Sequence, residues 1–204
     1  MSSRNPRIQP GKKGNLDCSQ YVNPLEKPQA DIDRSMGDVH PMGNPHYHYS
    51  ARNMLGVAKG IEQALSHADP GNASYYAANL AAVQEKVRKK QSQWAAIPLK
   101  AKRFFAYHKI FEYLAAEYGF QIIGYVEPKP GIPPSAGYLE NLIESIKRTK
   151  PDGILTTPNY GRKEIALLSG KTGVKAIVVP SDVGAGAGTG DWFSFMDTVL
   201  SSLK

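Results

Sequence analysis

His46, His108 and Asp182 are three metal-liganding side chains separated by 62 and 74 residues, each expected where an extended segment ends. Two imidazoles and a carboxylate suit zinc first and, less selectively, manganese or iron(II). Donors spaced this widely point to one ion held where two lobes meet. A closed tetrahedral site needs a fourth donor, and the 204 residues offer no clear candidate for it. Each member of the set also has a plainer reading. His46, in Gly43-Asn44-Pro45-His46, can be a surface-loop histidine, His108 a helix-start histidine bonded to the backbone, and Asp182 a turn or helix cap. Pro45 restricts the backbone before it to an extended form, which steadies the imidazole that follows. His48, two residues on, points elsewhere if the segment is extended and is expected to orient its neighbour, pack or face water. His40, before a proline in irregular chain, is a weaker candidate than His46. Glu127, after Val126, is expected as a hinge or a group that holds a ligand in place.

The elements that must position these residues are legible from periodicity. Residues 1–48 read mostly as loop, with a short extended piece through Leu16 to Val22. Ser50 is a good helix N-cap, followed by an apolar stripe of Met54, Leu55, Val57, Ala58, Ile61 and Leu65. Asp69-Pro70-Gly71-Asn72 breaks that helix, and a second runs from Ala73 to Trp94 with Tyr76, Leu80, Val83 and Val87 on one face. From Pro98 the pattern alternates. Strands are expected at Arg103 to Tyr107, Phe120 to Val126, Gly153 to Thr156 and Val174 to Val179. Helices are expected at His108 to Tyr118, Ser135 to Lys150, Arg162 to Ser169 and Trp192 to Leu203. This is an α/β pattern with a parallel sheet covered on both faces. Ligands in such sheets bind outside the carboxyl ends of the strands, where His108 and Asp182 fall.

Composition narrows the function. A hydrophobic fraction of 41% fits a folded chain. The net charge of +7 is spread evenly, with 12 basic and 8 acidic side chains in residues 1–97 and 13 and 10 in the remainder. No reading motif accompanies it, so nucleic acid is not an expected partner. Cys18 is the single cysteine, which excludes an intrachain disulfide and a cysteine-based zinc knuckle. No stretch is apolar enough to span a bilayer, and Met1 to Lys13 has no signal-peptide character. The glycines of segment 184–190 lack the spacing of a phosphate-binding loop.

Several motifs together resemble one family. Gly43-Asn44-Pro45-His46, Ala106-Tyr107-His108-Lys109, Glu127-Pro128-Lys129-Pro130-Gly131, the strand Ala176 to Pro180 with Asp182, and Asp191-Trp192-Phe193 occur in the order found in the cluster A-I solute-binding proteins. These are the zinc and manganese receptors of ABC importers. The resemblance implies a two-lobed α/β fold with parallel-sheet lobes joined by a long helix. Residues 1–72 would form a partial first lobe, 73–97 the interlobe helix and 98–204 the second lobe. It implies His46 as a ligand from the first lobe and His108 and Asp182 from the second, with zinc favoured because histidine stands at position 108, where manganese receptors often carry glutamate. It further implies capture without catalysis, delivery to a membrane permease of an ABC importer, and a periplasmic or cell-surface location for the intact protein. The first part of lobe one, with its histidine ligand, is expected to be lacking, so that binding is impaired and a homo-oligomer can complete the lobe. Two rival readings remain at this point: a structural or interaction fragment with a degenerate metal site, and a zinc hydrolase with two His, one Asp and a bound water.

Overall fold

Arg103–Ala106 (β1), Gln121–Tyr125 (β2), Gly153–Thr156 (β3) and Ala176–Val178 (β4) form a four-stranded parallel sheet in the order β2-β1-β3-β4. The computed structural model describes residues 5–29, 37 and 40–204. Residues 1–4, 30–36 and 38–39, part of the expected loop 1–48, lie outside the described residues. Successive side chains of β1 point to opposite faces, and both faces are buried. Phe104 and Ala106 enter one apolar cluster with Leu155, Ile177 and the inner faces of Glu112–Tyr118 (α3) and Trp192–Ser202 (α6). Phe105 and Tyr107 enter the other, with Ile154 and the inner faces of Ala136–Thr149 (α4) and Arg162–Thr172 (α5). This arrangement explains why the strands read as continuous apolar runs.

Ala51–Ala68 (α1) and Ala73–Ala95 (α2) precede the sheet, separated by a single 3-10 turn at Pro70–Asn72. With 23 residues, α2 is about 35 Å long. Its last turns are fastened to the sheet lobe, where Trp94 Nε1 and Lys90 Nζ donate to the two oxygens of Asp197 at 2.7 and 2.5 Å. Asp191 caps α6 by accepting from the Phe193 and Ser194 amides.

Several boundaries differ from expectation for local reasons. The extended piece at Leu16 to Val22 is instead a 3-10 turn, Cys18–Tyr21, because the Asp17 carboxylate accepts from the Ser19 amide and folds the chain back on itself. That turn docks on α1, where the Tyr21 ring lies so close to Gly60 that a Cβ there would stand 2.6 Å from it. Only Val87 and Trp94 of α2 are buried, and Val83, Ile61 and Leu65 are exposed, because α1 and α2 pack on one another and no sheet lies against them among the described residues. The strand expected at Val174 to Val179 is only three residues long, as suits an edge strand paired on one side. The helix expected from His108 begins at Glu112, since the His108 carbonyl is taken by the Ile110 amide in a tight turn.

One side chain links the segment before α1 to the sheet lobe. The buried Tyr113 hydroxyl accepts from the Leu25 amide at 3.0 Å and donates to the Asn44 carbonyl at 2.7 Å. Replacing it with Phe strands both backbone groups, so Tyr113→Phe is expected to reduce unfolding free energy by about 1–3 kcal/mol in urea titrations. An unchanged midpoint would mean that neither bond contributes.

Candidate metal centre

His108 and Glu127 leave the carboxyl ends of neighbouring parallel strands. The ladder continues past β1 and β2, with the Val126 amide donating to the Ala106 carbonyl and the Glu127 amide to the Tyr107 carbonyl. The two side chains therefore emerge at the same height. Glu127 is buried, and its Oε2 lies 2.5 Å from His108 Nδ1. A carboxylate can only accept, so Nδ1 carries the hydrogen, and in the neutral ring Nε2 keeps its lone pair. Tyr160 stacks on the same imidazole with centroids 5.1 Å apart and planes 9° from parallel. Gly161 makes this possible: its φ is +52°, and a Cβ there would overlap the Tyr107 ring. The ring of His108 is thus held along one edge and one face.

His46 approaches from the other side. Its amide donates to Asn44 Oδ1 at 2.9 Å, and it begins the 3-10 turn Tyr47–Tyr49 that leads into α1. Asn44 Nδ2 reaches the Lys109 carbonyl and Glu26 Oε2, both at 3.0 Å, so one asparagine joins His46 to the residue after His108. The His46 and His108 rings stand edge to face with centroids 5.7 Å apart. Both line a cleft of about 410 Å³, together with Pro128 and Pro130.

Asp182 is placed differently. It is exposed on the loop after β4, outside the lining of that cleft, with its Oδ1 accepting from the Val183 amide at 2.7 Å. Among the described residues, no three His, Cys, Asp or Glu side chains already stand together as a metal-holding group. His48 connects the two regions. Its Nε2 is 3.1 Å from the Ser181 carbonyl, and its ring packs against Tyr49 and Phe195. The sequence alone points to Glu127 as a hinge or a group that holds a ligand or the interlobe loop in place, and in the structure its carboxylate bonds to His108. The sequence assigns no role to Asn44 or Tyr160. The signal for Asn44 was its place before Pro45-His46, since asparagine folds its oxygen back onto an amide two residues on. Nothing in the local sequence marks Tyr160 as the partner of a ring 52 residues earlier.

Burial first, then the charges of His108, His48 and His40, hold the His46 imidazole down at about 4. An unfolded histidine takes up its proton near 6.5, so between these values the unfolded chain binds the extra proton and stability falls as the pH drops. In metal-free protein, His46→Gln is expected to lose less unfolding free energy than the parent on going from about pH 7 to about pH 5. Equal losses in paired urea titrations would contradict this.

The family described as "Zinc-uptake complex component A periplasmic" (ZnuA) matches residues 5–204. The zinc-binding lipoprotein AdcA of Streptococcus pneumoniae (strain ATCC BAA-255 / R6) is 28% identical over 188 residues, which cover 88% of this chain and 37% of that protein. The chain thus spans little more than a third of the length of that curated relative. A crystal structure of ZnuA superposes with a TM-score of 0.72 at 25% identity, covering 90% of this chain and 66% of the other. A ZnuA deletion mutant with zinc bound gives 0.71 at 26% identity, with 90% and 65% covered. The match extends to the two-lobed α/β architecture with a long connecting helix, of which the described residues supply one parallel-sheet lobe and the helix.

Proposed function

From the premise that this chain belongs to the ZnuA family, a family of metal-binding transport components and not of enzymes, we propose that it binds zinc through His46 and His108, with Asp182 as a further ligand, for delivery to an ABC importer. The observation that carries this reading is the edge-to-face pair of imidazoles in one cleft, with Glu127 leaving His108 Nε2 as a free donor. Neutral imidazole is the form that binds a metal, and it favours zinc over the harder manganese ion. Residues 1–72 act as the first-lobe portion, 73–97 as the connecting helix and 98–204 as the second lobe. Asp182 joins the site when its exposed loop moves toward the cleft, and binding is coupled to that movement. The intact protein works in the periplasm or at the cell surface and releases its ion on docking to a membrane permease. Among the described residues no helix is long and apolar enough to cross a membrane.

Calorimetric titration with zinc and then manganese tests the reading. Zinc should bind the parent and raise its melting temperature by mass action, while His46→Ala and His108→Ala should each remove most of the heat. Binding indifferent to both substitutions would defeat the site. Glu127→Gln keeps the shape but removes the charge that fixes the tautomer, and is expected to weaken zinc binding about 10–100-fold. Retention of full affinity would reduce Glu127 to a packing role.

A further inference from the structure

The cleft shared by His46 and His108 has a third histidine on its wall, His40. We propose that His40 supplies a third imidazole to the cation held by His46 and His108, and so serves as the fourth protein donor alongside Asp182. This rests on the function proposed above and deepens it, because His40 is the donor that a closed tetrahedral zinc site needs beyond the other three.

Other groups near the cleft are already engaged. The Glu26 carboxylate lines it but is held by Lys109 Nζ at 2.5 Å and Asn44 Nδ2 at 3.0 Å. His48 Nε2 faces the Ser181 carbonyl, and Glu127 is committed to His108. His40 differs in being exposed, with its carbonyl anchored and its ring outside the packed core. The Gly43 amide donates to that carbonyl at 3.0 Å, closing a turn. Gly37 also lies against a residue of the cleft lining: its φ is +83°, and a Cβ there would stand 2.4 Å from the Pro130 carbonyl oxygen. The turn on the C-terminal side of His40 thus anchors it where it lines the cleft, and a side-chain rotation can turn the exposed imidazole inward. Chemically, a third imidazole makes the site more nitrogen-rich and shifts preference further toward zinc and away from manganese.

Zinc competition against a chromophoric chelator, with cobalt(II) absorption as a second readout, separates the outcomes. The proteins are the parent, His40→Ala, His46→Ala and His40→Ala/His46→Ala. His40→Ala should melt like the parent without metal, bind zinc about tenfold or more weakly, a change of about 1.4 kcal/mol, and alter the cobalt visible band as one nitrogen donor is replaced. If the parent and His40→Ala share one affinity and one cobalt spectrum while His46→Ala loses binding, the role of His40 is overturned and the proposed function stands. If the parent itself fails to bind zinc, both fall.

Discussion

A short polar seam decides where His46 stands. Almost every tie that fastens residues 44–52 to the sheet lobe is a hydrogen bond between backbone on one side and a side chain on the other. Asn44 reaches the Lys109 carbonyl, Tyr113 holds the Asn44 carbonyl, and Tyr49 donates to the Pro180 carbonyl at 2.6 Å. Trp192 Nε1 donates to the His48 carbonyl at 2.8 Å. The Glu117 carboxylate accepts from the Ala51 and Arg52 amides at 2.9 and 3.0 Å, placing negative charge on the first turn of α1, where the helix dipole welcomes it. Apolar packing of Tyr49 against Phe111 and Phe195 sits beneath these bonds. Apolar contact holds the segment down, and the directional bonds set its register. Without that register the two imidazoles would share a protein but not a cleft.

The second imidazole is placed by a different physics. Parallel strands leave a sheet in step, so residues that follow β1 and β2 by the same distance come out side by side. His108 and Glu127 are such a pair, and the pairing needs no long-range coincidence. The cleft therefore combines one imidazole placed by sheet geometry with another placed by a loop stitched down at many points.

That division also explains what could be read in advance. Strand and helix alternation after Pro98, the Ser50 and Ser135 caps and the exits carrying His108 and Glu127 all follow from periodicity and local propensity, which neighbouring residues encode. The seam does not. Asn44 meets Lys109 across 65 residues and His48 meets Ser181 across 133, and such pairs leave no periodic trace. The delayed start of α3 was hidden because residues 108–111 are compatible with a helix and the tight turn wins only through its setting. The apolar stripes of α1 and α2 were visible as stripes, but whether each member is covered depends on what packs against them. Asp182 was located correctly after the last strand, yet a residue's place in the chain says nothing of which way an exposed loop is turned.

The density of the seam has a kinetic corollary. Its bonds converge on nine consecutive residues, so losing one leaves the stretch clamped by its neighbours, and partial peeling gains little freedom. The amides of this stretch should therefore exchange with solvent in concert, as one cooperative opening unit. On the function proposed above, egress of an ion would follow how often that unit unlatches, and a partner that binds the unlatched form would speed discharge without touching the ion.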